Sequence, residues 1–506
     1  MNARVMTLRP EHRAAAPRPA RLARSARLAR VVWRFVRTPR PRLRLTAVLV
    51  GAAVASGCTS FSPDGGFGVV EQTAKDRLGK DLRWSRSEAD RDTIDQRVAE
   101  LLARPLTVDD AVQVALLSNR GLQAGFQELG IAEADLVQAG RLPNPGIVLA
   151  RKTQGSEVEI ERLFIFNLAR LITIPMVSEV ESRRFAQTQA MVTLQVLALA
   201  ADTRKAYFNA VAAEESARYM RQVMQAAEAS AELARRMEQV GNFNKLQRAR
   251  EQSFYADSAL NVARAEQARR STRERLTRLL GVWGAQSQFA LPERLPDLPA
   301  SQTELPGLER VALEQRLDVR SARLTVEQTA KSLGLTRTTR FINVLEFGVI
   351  RNSFNEAPLQ SGYEIGFELP LFDWGDARVA KAESIYLQAL DRAAQTAINA
   401  RSEVREAYAG YRLAYDIARH HRDEIVPARQ RIADENLLRY NGMLIGVFEL
   451  LADARAQIAS VNNYIGSLRD FWIAQADLEM ALIGKPGLAP GATPMMTTAA
   501  DGGAAH

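Results

Sequence analysis

Apolar and polar residues alternate without interruption across residues 363–371. This period of two predicts a strand with one apolar and one polar face. Pro370 cannot donate a backbone hydrogen bond, so pairing is predicted to stop near it. Asp373 and Asp376 are then predicted to be the N-cap and N3 residues of a long helix. The apolar face consists of Tyr363, Ile365, Phe367, Leu369 and Leu371.

The first half of the chain carries the same transition. Residues 147–152 and 160–174 are predicted to be two strands, and the sequence SEVE at 178–181 predicts a capping box at the start of a helix. In the second half, residues 341–351 supply the strand before 363–371. A strand that leads directly into a long helix, present twice, predicts an internally duplicated chain.

Long helices follow each pair of strands. Residues 180–240 contain neither Pro nor Gly, and their apolar residues recur at spacings of three, four and seven. At a rise of 1.5 Å per residue, such a helix spans roughly 90 Å, more than a compact domain accommodates. Two shorter helices are predicted over 107–139 and 308–335. A return helix is predicted from the turn at Gly241–Asn242 to Leu280. In the second half, a helix from Ala377 with a kink at Pro427 is predicted, followed by the turn at Asn441–Gly442 and a last helix over 447–483.

The positive charge is confined to the N-terminus. Residues 1–57 hold 13 arginines and one acidic residue, so the remainder carries 54 basic and 57 acidic residues. Nucleic-acid binding needs a basic face on the folded protein. The nearly neutral remainder therefore argues against a nucleic-acid-binding protein.

Cys58 is the only cysteine, so an intrachain disulfide is excluded. It follows an apolar run over residues 45–55 that is too short for a membrane-spanning helix but fits a signal peptide. The sequence ASGC at 55–58 resembles the lipobox of bacterial lipoproteins and predicts lipid attachment at Cys58. The alternative is a buried thiol near the N-terminus.

Residues 59–105 are polar and lack a clear period, and are predicted to wrap around the fold or extend from it. Together with the patterns above, this divides the chain into six segments. The segments are a leader over 1–57, an N-terminal lipidated segment over 58–106, a first repeat over 107–283, a Pro-rich linker over 284–306, a second repeat over 307–484 and a disordered tail over 485–506.

Four strands per chain are too few to close a barrel. The alternation in residues 363–371 is nevertheless that of a membrane barrel wall, and a bilayer tolerates no open sheet edge. The expected fold is therefore mainly α with a transmembrane β-barrel that is completed by oligomerisation. The alternative is a small sheet packed on the helices of a soluble protein.

Four motifs in order resemble the TolC family of outer-membrane efflux proteins, over about residues 107–483. They are LPNP at 142–145, ELPLFDWG at 368–375, YNG at 440–442 and LLADA at 450–454. The resemblance implies a homotrimer with a 12-stranded barrel in the outer membrane and a periplasmic α-barrel. It also implies two partners, a periplasmic adaptor protein and an inner-membrane efflux pump.

The resemblance further implies an acidic constriction early in the last helix. Glu449 and Asp453 lie one turn apart there, so three copies would form an acidic ring that selects cations. Lys245 and Arg248 occupy comparable places after the first turn and are candidates to pair with them. The alternative for Glu449 and Asp453 is an exposed carboxylate on a solvated helix face.

The sequence carries no catalytic constellation and predicts no cofactor or metal site, because the adjacent His420 and His421 point apart on a helix. The chain is therefore predicted not to be an enzyme. Two functions remain, a passive exit duct for an efflux system and a non-conducting structural periplasmic lipoprotein. Drugs, solvents and metal ions all remain open as cargo.

Overall fold

The described part of the protein is mainly helical, as the sequence predicted, and contains one small antiparallel sheet. A computed structural model describes residues 60–342 and 344–485. Cys58, the leader and residues beyond 485 lie outside this range, and what was predicted for them stays a prediction. None of the helices in the described part of the chain combines the length and apolar character that a membrane span needs.

The segment before residue 107 forms two helices, which its weak periodicity did not predict. These are α1 (Phe67–Leu78) and α2 (Glu88–Leu102), and Ser87 and Asp90 form a capping box at the start of α2. Val70 and Val98 are fully buried, so both helices contribute to the main core. The segment therefore packs on the fold through a few well-spaced apolar residues.

The first entry helix is two helices, α3 (Val108–Ser118) and α4 (Arg120–Ala139), rather than the single one predicted. Asn119 interrupts them with an extended backbone, and its side chain caps α4 by accepting from the Leu122 amide. The Asn119 Nδ2 also donates to the Leu279 carbonyl at 2.9 Å. A Cβ on Gly281, which has a φ of 70°, would lie 2.7 Å from the Ser118 carbonyl oxygen, so this contact requires glycine.

The second entry helix is interrupted in the same way, into α7 (Leu308–Gln315) and α8 (Leu317–Thr339). The interrupting residue is Arg316, whose side chain is 1% exposed. Its guanidinium lies 2.7 Å from carboxylate oxygens of both Asp318 and Glu403 and donates to the Ala481 carbonyl at 3.2 Å. The residue at each break thus donates a hydrogen bond to a carbonyl in the last turn of a return helix.

The sheet has the strand order β1-β2-β3-β4, with every neighbouring pair antiparallel. β1 and β4 are its two edges. The pairing of β3 with β4 ends at Leu345 and Phe367, so the strand predicted over 363–371 ends four residues earlier than predicted, before Pro370. The strands are β1 (Gly146–Gln154), β2 (Glu157–Asn167), β3 (Leu345–Phe354) and β4 (Gln360–Phe367).

The long helix of the first half begins earlier than predicted. It is α5 (Leu168–Gln239), and the strand predicted to reach residue 174 ends at Asn167. The Asn167 side chain accepts from the Arg170 amide at 2.8 Å and so caps the helix before the alternating residues 172–174. Pro175 lies inside the helix, and Ser178 is an interior residue, so the predicted capping box is wrong.

The second long helix begins at Asp376, with Gly375 rather than Asp373 as its N-cap. Gly375 has a φ of 72°, and a Cβ there would lie 2.7 Å from the Arg340 carbonyl oxygen. Asp373 instead accepts from the Gly375 amide at 2.8 Å. The helix is α9 (Asp376–His420), and a π-helical turn (His421–Ile425) just before Pro427 joins it to α10 (Val426–Asn441).

The return helices agree with the sequence prediction. They are α6 (Lys245–Leu280) and α11 (Val447–Ile483). The main core lies around the middle of α5, where Tyr207 donates to the Leu106 carbonyl at 2.9 Å. Phe208, Trp472 and Phe471 continue it as an aromatic cluster between α5 and α11. α5 and α6 form one helical hairpin, and α10 and α11 form a second.

Candidate functional site: the hairpin ends and the sheet

The first hairpin turns through residues 240–244. Gly241 has a φ of 81°, and the amides of Asn242 and Phe243 both donate to the Met237 carbonyl. Asn244 and Gln247 then form a capping box that starts α6. The turn is therefore well specified by local hydrogen bonds, and this fixes where α6 begins.

Arg248 pairs across its own hairpin, because its Nη1 lies 2.6 Å from Oε2 of Glu238. Lys245 is exposed in the first turn of α6. About two turns before Gln239, hydrogen bonds from Arg235 and Arg236 lower the pKa of Glu232 to about 2. The two arginines therefore hold Glu232 in its ionised form.

The second hairpin turns through residues 442–446, where Met443 has a φ of 59°. Glu449 is exposed in the first turn of α11. Asp453 is half-buried and accepts a hydrogen bond from Nδ2 of Asn436, a buried residue of α10. Among the described side chains, no ion pair joins Lys245 or Arg248 to Glu449 or Asp453 within one chain. Whether these four residues meet in an assembly stays a prediction.

The link between the two hairpins is a pair that the sequence analysis missed. Arg455 Nη2 lies 3.3 Å from Oε1 of Glu251, which is 1% exposed, and Ser230 donates to the other carboxylate oxygen at 2.9 Å. The Arg455 guanidinium also lies over the Phe254 ring, 4.1 Å from its centroid. The spacing of Glu251, Phe254 and Ser258 along one face of α6 was the available signal.

A cavity of about 500 Å³ opens beside this pair, between α5, α6 and α11. Ser216 donates to Oδ1 of Asn462 at 2.6 Å at its edge. Its lining includes Met220, Phe254, Ser258, Arg455 and Asn462. The two hairpins are thus joined here by polar contacts around a space, in contrast to the packed aromatic core. Such contacts can break without unfolding either hairpin.

The sheet places all the carboxylates of its strands on one face, and the opposite face carries most of its apolar side chains. On one face, the polar face, Lys152 lies 2.8 Å from Glu161, and Asn352 donates to Glu159 at 2.9 Å. The strand registers place every acidic residue of the four strands on this face. They are Glu157, Glu159, Glu161, Glu346 and Glu364.

The opposite face of the sheet, the apolar face, is exposed in the single chain. Phe347 and Tyr363 stack on it with ring centroids 6.5 Å apart, and Tyr363 is 73% exposed. Exposed apolar side chains continue past the helix end of the sheet. They are Phe341, Ile342, Leu369, Leu371, Phe372 and Trp374. No helix in the described part of the chain covers this patch, which marks it as an interaction surface.

This combination of a four-stranded sheet with open edges and two long helical hairpins recurs in solved structures. The chain is similar to the CmeC outer membrane channel of Campylobacter jejuni, with a TM-score of 0.64 and 17% identity over 80% of this chain and 91% of that one. It is equally similar to the open state of the MtrE outer membrane channel of Neisseria gonorrhoeae, with a TM-score of 0.62 and 19% identity over 74% of this chain and 89% of that one. The chain has the outer-membrane channel fold. The predicted resemblance to the TolC family is therefore confirmed at the level of the fold.

One curated relative is also similar in sequence. It is the cobalt-zinc-cadmium resistance protein CzcC of Cupriavidus metallidurans, 29% identical over 262 residues. The match covers 47% of this chain and 60% of that protein. No family model matches the chain.

The described part of this outer-membrane channel fold has no group of three or more His, Cys, Asp or Glu side chains placed to hold a metal ion. Its concentrated charges are the carboxylates of the polar face and the pairs at the hairpin ends. These two places are therefore the candidate functional sites.

Proposed function

We propose that the chain is the outer-membrane channel of an efflux system, a passive exit duct driven by an inner-membrane pump through a periplasmic adaptor. The observation that carries this is the sheet, which has two unpaired edges, β1 and β4, and an exposed apolar face. A bilayer tolerates an apolar face but no open edge, so the edges of several copies must pair with one another. Three copies would close a barrel of twelve strands, with the polar face inside.

The domain assignment follows from this proposal. The two repeats over 107–283 and 307–484 each contribute two strands to the barrel and a set of helices to a periplasmic α-barrel. Their element order is the same except that a π-helical turn divides the long helix of the second repeat, and the breaks at Asn119 and Arg316 are hydrogen-bonded to return helices in the same way. This supports an origin by internal duplication. The apolar face at the level of the bilayer argues against the alternative of a non-conducting periplasmic lipoprotein.

The cargo that the polar face favours is a cation. Five carboxylates and one lysine line that face in each chain, and three copies would line one passage. Rings of carboxylates attract cations and repel anions at close quarters. CzcC is named for resistance to cobalt, zinc and cadmium. We therefore propose divalent metal ions as the cargo.

The function is tested with the purified full chain in planar bilayers. We expect discrete conductance steps and, in a salt gradient, a reversal potential that shows preference for cations. Native mass spectrometry in detergent is expected to show a trimer. A stable monomer without conductance would overturn the channel proposal, whereas a conducting trimer with preference for anions would overturn only the proposed cargo.

A further inference from the structure

The cavity between α5, α6 and α11, which we call the hairpin cavity, is lined by charges of one sign. Its charged lining residues are Arg264 on α6 and Arg455 on α11, and no carboxylate of the described chain lines it. Glu251 lies beside the cavity and balances the charge of Arg455. Arg264 is exposed and adds a positive charge to the lining. The cavity therefore favours an anion over a cation.

The guanidinium of Arg455 keeps hydrogen-bond donors that its own chain does not use. Its Nη2 binds Glu251 at 3.3 Å, whereas its Nε has no hydrogen-bond partner among the described residues. A buried donor without a partner costs free energy. A guanidinium presents several N–H groups in a fixed plane that matches a carboxylate. A second carboxylate at the cavity wall would satisfy this group better than Glu251 does alone.

The hairpin cavity is elongated along the helices. Its lining runs from Phe254 to Ala265 on α6 and from Arg455 to Asn463 on α11, which at 1.5 Å per residue is about 12–16 Å. Arg455 and Phe254 are in contact at one end, where the guanidinium lies 4.1 Å from the ring centroid. Apolar side chains continue from there along the cavity. They are Met220, Val223, Ile458, Ala459 and Ala265.

The size of the cavity, about 500 Å³, lies in the range of pockets that bind small molecules. A guanidinium at one end and apolar walls beyond it suit a molecule with a charged head and an unbranched apolar chain. We propose that the hairpin cavity binds a medium-chain fatty acid, with its carboxylate at Arg455 and its chain between α5 and α11.

Such a ligand would contact both hairpins at once. It would therefore bind their joined arrangement more tightly than a separated one, and would shift the population towards the joined state. This consequence rests on the proposed function, in which the joined hairpins close the channel. The fatty acid would act there as a ligand that stabilises the resting state and not as cargo, since the polar face of the sheet favours cations.

The binding test is isothermal titration calorimetry of the purified full chain in lipid nanodiscs, corrected with empty nanodiscs for partition into lipid. Three probes separate the two halves of the ligand. Octanoate carries both, octanamide has the same chain without the charge, and butyrate has the charge with a shorter chain. Wild-type protein is expected to bind octanoate at least tenfold more tightly than either of the other two.

Two arginine variants test the head of the ligand. R455Q is expected to bind octanoate roughly tenfold more weakly and octanamide as wild type does. Because Arg455 also joins the hairpins, R264Q is measured as well. Arg264 is exposed, so its loss does not disturb the packing, and we expect octanoate affinity to fall about threefold.

A further variant tests the chain of the ligand. A459F places a ring in the lining without changing its charge and is expected to weaken octanoate binding. The matched control is A263F, since Ala263 is exposed on α6 and lies outside the lining. It is expected to keep the wild-type affinity.

Three outcomes would overturn the site. They are equal affinity for the three probes, unchanged octanoate binding in both R455Q and R264Q, or an equal loss in A459F and A263F. In planar bilayers, octanoate is expected to lower the resting conductance of wild type, and an unchanged conductance with octanoate bound would overturn its effect on the joined state. A protein that binds octanoate but does not conduct overturns the channel proposal alone, whereas a conducting protein that does not bind octanoate overturns the site alone.

Discussion

Arg455 of α11 and Glu251 of α6 form an ion pair of 3.3 Å between two helical hairpins, and the carboxylate is almost completely buried. In the proposed channel, this pair holds the second hairpin against the first near their free ends. Movement of the second hairpin would have to break it. It is therefore a candidate to hold the resting state closed.

The first prediction is that R455A raises the resting conductance in planar bilayers. Loss of the guanidinium leaves Glu251 with Ser230 as its partner, at a cost of about 1–3 kcal/mol to the joined state. The control is R469A, because Arg469 pairs with Asp470 on its own helix at 2.7 Å and does not join the hairpins. Equal resting conductance in R455A, R469A and wild type would show that the pair is not part of the closed state.

The second prediction concerns Glu449 and Asp453. Three copies of these carboxylates near an axis would repel one another and bind cations. E449A/D453A is expected to raise the resting conductance and to weaken block by Mg²⁺ on the periplasmic side. D453N keeps an oxygen that accepts from Asn436, so it is expected to weaken the block with a smaller effect on conductance. If the double variant behaves as wild type does, the two residues are a solvated helix face.

The third prediction concerns the stability of the break at Arg316. R316M leaves Asp318 and Glu403 without their buried partner, which is expected to cost roughly 3–5 kcal/mol. A lower Tm by circular dichroism is expected, with partial recovery in R316M/E403Q because one unpaired charge is then removed. R320M, at an exposed position one turn away, is the control and is expected to leave the Tm unchanged. A Tm of R316M equal to that of R320M would contradict the prediction.

The fourth prediction is a pH dependence at the first hairpin. Hydrogen bonds from Arg221 and then Arg269 lower the pKa of Glu266 from its ordinary value of 4.5. The stability that these contacts contribute is therefore present above that value and is lost as the pH falls through the lowered pKa of the folded state. Between about pH 5 and pH 3, the Tm of wild type is expected to fall more than that of E266Q.

The control for this pH dependence is E274Q, because Glu274 is exposed on the same helix. Its Tm is expected to follow that of wild type as the pH falls. Parallel Tm curves for wild type and E266Q would show that Glu266 does not contribute.

The fifth prediction is lipid attachment at Cys58. Cys58→Ala is expected to abolish incorporation of a labelled fatty acid while trimers still form, because the barrel does not depend on the anchor. Mass spectrometry of the mature N-terminus provides the measurement. A mature chain that begins upstream of residue 58 and carries no acyl group would contradict it.

The sequence predicted the structure correctly where one local periodicity was present and no tertiary contact favoured a different conformation. The return helices and the turns at Gly241 and Gly442 were predicted. The prediction of a strand over residues 168–174 was wrong, because their alternation has the period of a strand whereas the Asn167 cap and the packing of α5 favour a helix. The breaks at Asn119 and Arg316 were not predicted, because neither interrupting residue is Pro or Gly. They depend on carbonyl groups more than 150 residues away, at Leu279 and Ala481.

The residues of the candidate site also differ in whether a local sequence pattern indicates them. Glu449, Asp453, Lys245 and Arg248 were predicted as candidates because turns precede them, and their role stays a prediction. The pairing of Glu251 with Arg455 joins residues 204 positions apart, and no local pattern indicates which acid meets which base.

The separation of charge in the sheet also has a consequence for assembly. Because side chains alternate, a slip of one residue in the pairing of β2 would turn all its side chains over. In the proposed channel, Glu157, Glu159 and Glu161 would then face the lipid, while Arg162 would face the aqueous passage. The bilayer would disfavour such a misaligned strand on charge as well as on hydrophobicity. The distribution of charge would therefore favour the correct register during insertion, which a neutral sheet with the same apolar pattern would do less strongly.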